Sequence, residues 1–125
     1  MMKKFTGKTA LIVEDDNISS HYLNLLLQKN GFDLINADNG DQAIELFENN
    51  KIDIVLLDIQ IHGLDGFEVI KSLKKKNSKI PIIVQSASEA VEIKDKCINL
   101  GCNAYLEKPV SSEELLSSIE KLLTN

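Results

Sequence analysis

The sequence predicts an α/β fold in which a parallel sheet is covered by helices on both faces. Three observations predict it. Segments of strand character and segments of helical periodicity alternate five times along 125 residues, the rhythm of right-handed strand–helix–strand crossovers. Three of the strand segments carry continuously apolar runs, Ala10–Val13, Ile54–Leu57 and Ile80–Val84, as strands buried on both faces do. The chemically distinctive residues all follow C-terminal strand ends, the edge where such sheets hold ligands at the reversal of strand order.

The first strand, Thr9–Val13, stops abruptly in Glu14-Asp15-Asp16. Ile18, Tyr22, Leu25 and Leu26 follow at i, i+4, i+7 and i+8, an amphipathic helix that stops before Gly31, a C′ glycine. Asp33–Ala37 is the second strand. Asn39 with Gln42 resembles a capping box before a helix carrying Ala43, Ile44 and Phe47. The third strand, Ile52–Leu57, holds one polar residue, Asp53, and leads into Asp58. Phe67, Ile70 and Leu73 mark the third helix, and Ile80–Val84 is a fourth strand just ahead of Ser86. Ile93, Cys97 and Leu100 mark a helix that ends at Gly101. Ala104–Leu106 is the last strand, followed by Lys108-Pro109. Ser111 with Glu114 caps a final helix that carries Leu115, Ile119, Leu122 and Leu123 inward.

Length and pattern predict one domain over residues 1–125, with its core at about 8–124. With 43% hydrophobic and 26% charged residues the chain is ordinary for a soluble globular protein. Its net charge is −5, and all 14 basic residues are lysine. Without arginine there is no guanidinium fork for guanine edges or phosphates, which argues against direct nucleic-acid binding. No apolar stretch approaches the roughly 18 residues that cross a bilayer, and Met1-Met2-Lys3-Lys4 is not followed by an apolar signal region. No membrane insertion and a cytoplasmic location are therefore expected. Cys97 and Cys102 are too few for a disulfide framework or zinc site and are read as reduced, packed thiols. The final helical pattern ends within a residue or two of the C-terminus, so no effector domain is expected to follow.

Two apolar strands that each end in carboxylates gather negative charge at one sheet edge. Two unit charges roughly 4 Å apart repel by about 4 kcal/mol at an effective dielectric near 20. No structural need explains that arrangement, and it points to a site that holds a cation.

With Glu14-Asp15, Asp58 in Leu56-Leu57-Asp58, Leu64-Asp65-Gly66, Ser86-Ala87, Tyr105 and Lys108-Pro109 in this order, the chain resembles the receiver domain of two-component response regulators over essentially its whole length. The resemblance implies a flavodoxin-like (βα)5 doubly wound sandwich with a five-stranded parallel sheet of order 2-1-3-4-5. It implies that Asp58 is the phosphoacceptor, and a carboxylate already ionised at neutral pH needs no general base. It implies Mg²⁺ (or Mn²⁺) held by Asp15 and Asp58, by Glu14 through water, and by the backbone carbonyl of Gln60, a hard-oxygen set of the kind Mg²⁺ prefers. Lys108 would pair with Asp58 and then with the phosphoryl group, across a cis bond to Pro109. Ser86 would bond a phosphoryl oxygen, and Tyr105 would move inward as Ser86 swings. Asp16 reads as the residue that begins a helix, outside the ligand set.

Some positions depart from the family's common pattern. His62 stands where proline is frequent, and is read as exposed, as is His21. Gln60 and Ser88 occupy positions that influence dephosphorylation, and both leave access for water. The lysines Lys71, Lys74, Lys75, Lys76 and Lys79 read as a solvated helix end.

The implied function is a phosphorelay switch. A histidine kinase or histidine phosphotransfer protein donates to Asp58, docking near Ile18, Ser19 and Tyr22 and the Lys108-Pro109 loop. The last three elements then present a surface to a downstream protein or to a second copy in a phosphorylation-linked homodimer. The chain reads as a free-standing regulator in preference to a segment of a hybrid sensor kinase. The alternative is a phosphorylation-independent interaction module, yet degenerate receivers typically lose an acid or the lysine, and this chain keeps them. Enzyme readings fail on charge. Glu14-Asp15-Asp16 would repel a flavin phosphate, and a dehalogenase-type phosphatase needs a second acid where Gln60 stands.

Overall fold

The computed structural model describes residues 3–60 and 65–124. His62 and Leu64 therefore lie outside the described residues. Ten elements alternate: β1 (Thr9–Val13), α1 (Asn17–Lys29), β2 (Asp33–Ala37), α2 (Gly40–Asn49), β3 (Ile54–Asp58), α3 (Gly66–Lys76), β4 (Ile82–Ser86), α4 (Val91–Asn99), β5 (Ala104–Glu107) and α5 (Ser112–Leu123). The strands form one parallel sheet of order β2-β1-β3-β4-β5, as the flavodoxin-like expectation required.

Strand periodicity divides the core into two layers. Leu11, Val13, Val55, Leu57, Ile82 and Val84 face one side and pack with α2, α3 and α4 through Ala43, Val69, Ile70, Leu73 and Cys97. Ala10, Ile12, Ile54, Leu56, Ile83 and Leu106 face the other, against Leu23 and Leu27 of α1 and Leu115 and Ile119 of α5. Order reverses between β1 and β3, so the crevice of the fold opens beyond Val13 and Asp58.

Two strand boundaries move. β3 starts at Ile54 because Asp53 closes the corner before it: its amide donates to the Thr9 carbonyl, and its carboxylate accepts the Thr9 amide at 2.8 Å. β4 starts at Ile82 and not Ile80, because Pro81 has no N–H for the ladder and the Ile80 amide turns back to the Asn77 carbonyl. At their far ends the strands reach Asp58, Ser86 and Glu107.

Of the apolar stripe read for α1 only Leu26 packs against the core, and it is partly buried. Leu23 and Leu27 are buried, whereas Ile18, Tyr22 and Leu25 are 82%, 44% and 55% exposed. The helix ends in a Schellman turn, with Gly31 at φ 102° and the Phe32 amide donating back to the Leu27 carbonyl.

The lysine run also needs correction at one position. Lys74 is half-buried and donates to the Ile80 carbonyl at 2.7 Å and to Asn103 Oδ1 at 3.0 Å, tying α3 to the start of β5. Burial holds its ammonium below the ordinary lysine range. Lys71 and Lys76 pair with Glu68 and Glu48 at the surface.

Candidate functional site

Residues of even number in β1 and β3 face the α1–α5 layer, and the same alternation puts Asp58, the last residue of β3, and Glu14, one residue past β1, on that side. Both are buried, at 5% and 6% exposure. Lys108 arrives from β5, its amide held by the Ser86 carbonyl at 2.8 Å, with a cis bond to Pro109. Its Nζ donates to Glu14 Oε1 and to Asp58 Oδ2, each at 2.9 Å. The other Asp58 oxygen, Oδ1, accepts the Gln60 amide at 2.9 Å. Glu14 Oε2 accepts the Asp16 amide at 3.2 Å. Both carboxylates are thus gripped at each oxygen and fixed in orientation.

Burial pushes the Glu14 carboxyl above its ordinary value, and the adjacent Asp58 adds to the rise, with Lys108 only partly offsetting it. Burial works against the Lys108 charge too, but Glu14 and Asp58 outweigh it and hold the ammonium above its ordinary range. Lys108 brings its ammonium to two of three clustered acids. Glu14, Asp15 and Asp58 each offer an oxygen, and these atoms lie within 4.8 Å of one another. Clustered carboxylate oxygens are the donor set of a hard divalent cation, so the residues present fit Mg²⁺. Asp16 stands apart: its carboxylate caps α1 by accepting the Ser19 amide at 2.8 Å, which keeps it below its ordinary range.

Ser86 is fully buried, on the opposite side of β4 from Gln85. Its Oγ accepts the Ser88 amide at 3.0 Å, and Ser88 Oγ accepts the Ala90 amide at 3.1 Å. Tyr105, half-buried, donates its hydroxyl to the Ser88 carbonyl at 3.0 Å. Ser86 and Tyr105 are therefore joined through Ser88. Sequence reasoning missed that role, although two serines spaced i, i+2 after a strand are a recognisable sign of side-chain-to-backbone turns.

Ile18, Ser19, Tyr22, Lys108 and Pro109, which sequence reasoning groups together, line a cleft of about 670 Å³ between α1 and the β5–α5 connection; Gln85, which it does not single out, lines the cleft too. Among the described residues no helix is long and apolar enough to cross a membrane.

Residues 10–120 match the family model of the response regulator receiver domain. The chain is 38% identical over 117 residues to a cyclic di-GMP phosphodiesterase of Thermotoga maritima, covering 94% of this chain and 31% of that protein. It is 35% identical over 113 residues to the response regulator MprA of a Mycobacterium species (strain KMS), covering 90% of this chain and 49% of that one. The chain thus spans less than half the length of these relatives. A CheY-like response regulator receiver domain protein from Methanospirillum hungatei superimposes with a TM-score of 0.90 at 26% identity, over 94% of each chain. Sheet order, the carboxylate–lysine cluster at the switch point and the match over nearly the whole length converge: the chain belongs to the response regulator receiver domain family of two-component systems.

Proposed function

We propose that residues 1–125 form a single receiver that accepts a phosphoryl group on Asp58 from a phosphohistidine and passes the change to a partner-binding surface. The seating of Asp58 supports this best: it is buried at the switch point, oriented by the Gln60 amide, and 2.9 Å from the Lys108 ammonium. An Asp58 oxygen forms a bond to phosphorus while the P–N bond to the donor imidazole breaks. The imidazole leaves with that electron pair and takes a proton from solvent, and Asp58 becomes an aspartyl phosphate. Lys108 follows the negative charge from the carboxylate onto the phosphoryl oxygens.

Asp15 and Asp58 would hold Mg²⁺ (or Mn²⁺) directly, Glu14 through water, and Gln60 by its backbone carbonyl. Bound there, the metal ion neutralises the clustered carboxylates and the charge of the transferred group. Ser86 gives up the Ser88 amide and turns its hydroxyl to a phosphoryl oxygen. Because Tyr105 hangs on the Ser88 carbonyl, that movement reaches the face made by α4, β5 and α5, where a downstream protein or a second copy binds. The shift requires contacts that differ between the two states.

The donor is a histidine kinase or histidine phosphotransfer protein in the cytoplasm, docking on exposed Ile18 and Tyr22 beside Pro109. The chain acts as a switch and catalyses only its own phosphorylation and dephosphorylation.

Intact mass after incubation with acetyl phosphate and Mg²⁺ tests the reading, beside an Asp58→Asn variant and an EDTA control. One phosphoryl adduct that requires both metal and Asp58 is the expected result. Absence of an adduct from acetyl phosphate and from phosphohistidine donors alike would remove Asp58 as the acceptor.

A further inference from the structure

The cleft between α1 and the β5–α5 connection is lined by apolar side chains and by three polar residues, Ser19, Lys108 and Gln85. Ile18, Tyr22, Leu23, Pro109 and Val110 line it, and Gln85 of β4 lies among them at 4% exposure. Strand alternation explains its direction: Gln85 shares the face of Ile83, which packs in the α1–α5 layer. It is the register partner of Asp58, and it lines the cleft beside Lys108, whose ammonium reaches Asp58.

The Gln85 amide makes no hydrogen bond to any described residue. No side-chain nitrogen or oxygen among the described residues is sealed away without a partner, so the Gln85 amide keeps a small exposure, and the cleft is the space that Gln85 lines. A primary amide offers two donors and an acceptor. An occupant that covers Gln85 with an apolar group strands all of them, and a buried polar group left unpaired is the costly case. Position limits the occupant, because Lys108, whose ammonium pairs with Asp58, lines the same cleft.

We propose that Gln85 is a specificity-determining contact for the phosphodonor protein: its amide hydrogen-bonds a polar side chain on the donor helix that carries the phosphohistidine. This rests on the reading of Asp58 as phosphoacceptor. Ile18, Tyr22 and Pro109 supply sequence-tolerant apolar area to any amphipathic helix. Gln85 discriminates, since a site built around a hydrogen bond rejects a partner that lacks it far better than an apolar pocket rejects a misfit.

The test compares two donors on the full chain and on Gln85→Met, which keeps side-chain length and removes the hydrogen bonds. The donors are acetyl phosphate and each histidine kinase of the source genome, purified and autophosphorylated. The quantity read is the rate of Asp58 phosphorylation by the preferred kinase divided by the rate with acetyl phosphate. A fall of about tenfold in this ratio is expected from loss of one desolvated hydrogen bond. An unchanged ratio overturns the proposal. A measurement on the unaltered chain guards against a folding defect in the variant. The Gln85 side-chain NH₂ resonances shift on titration with the preferred kinase's phosphorylated domain, and no shift overturns the proposal as well. If acetyl phosphate labels Asp58 but no kinase does, the Gln85 assignment falls while the acceptor survives. If neither labels it, the acceptor reading falls too.

Discussion

Lys108 Nζ stands 2.9 Å from Glu14 Oε1 and 2.9 Å from Asp58 Oδ2, one ammonium shared by two buried carboxylates from neighbouring strands. In Lys108→Met the acids face one another without that countercharge. Removing one partner of a buried ion pair costs roughly 3–5 kcal/mol, and urea midpoints in EDTA are expected to fall accordingly. Millimolar Mg²⁺ should restore much of the loss by occupying the same acidic cluster. A midpoint indifferent to Mg²⁺ would count against carboxylate repulsion as the cause.

The raised Glu14 carboxyl gives metal-free stability a definite slope with pH. The native state keeps this proton over a range where the unfolded chain, near the ordinary value of 4.5, has already released it. Unfolding there releases protons, so stability falls as pH rises from the unfolded value through the native one, and is level beyond it. Glu14→Gln should flatten that part of the curve. Urea unfolding at intervals between about pH 4 and pH 8 measures it.

Gly66 begins α3 against the residue that follows Asp58. A β-carbon built there would lie 2.6 Å from the Ile59 carbonyl oxygen and 2.8 Å from its α-carbon, closer than backbone allows. Gly66→Ala should therefore cost about 1–3 kcal/mol by overpacking. It should also slow Asp58 phosphorylation by acetyl phosphate, because Ile59 must shift. A wild-type rate together with a wild-type melting temperature would show that the segment yields freely.

Cys97 and Cys102 are both buried, and burial pushes the Cys102 thiol up to about 12 and raises Cys97 as well. Thiolate, not thiol, is the nucleophile. An aromatic disulfide reagent at mildly alkaline pH should leave both untouched in the native chain and titrate both in urea. Fast native labelling of either would contradict the packing.

Much of this molecule is legible in its sequence, for reasons that differ from residue to residue. Continuous apolar strands bounded by Glu14, Asp58 and Ser86 imply the sheet and its functional edge, because few sequences put carboxylates there without cause. Caps at Asn39 and Ser111 read correctly because a cap is a local interaction, three residues long. The facing of α1 does not read, because Leu23, Leu25, Leu26 and Leu27 surround the helix with apolar side chains, and only the sheet decides which are covered. Lys74, Asn103 and Gln85 stay hidden for a related reason. Each is polar, each owes its setting to residues distant in sequence, and no local pattern separates Lys74 from Lys75 or Gln85 from a solvated neighbour.

Four helices begin with a side chain that accepts an amide of the first turn: Asp16, Asn39, Asp65 and Ser111. The fifth, α4, begins at Ala90 with no such bond, and Cys97 is its one buried residue. Little free energy holds it down, so its amides should be the first helical ones to exchange with deuterium under native conditions. It also follows directly from the Ser86–Ser88 turn. Under the proposed switching role of Ser86, a helix that costs little to loosen would turn a small rearrangement at a buried serine into a large change in exposed surface.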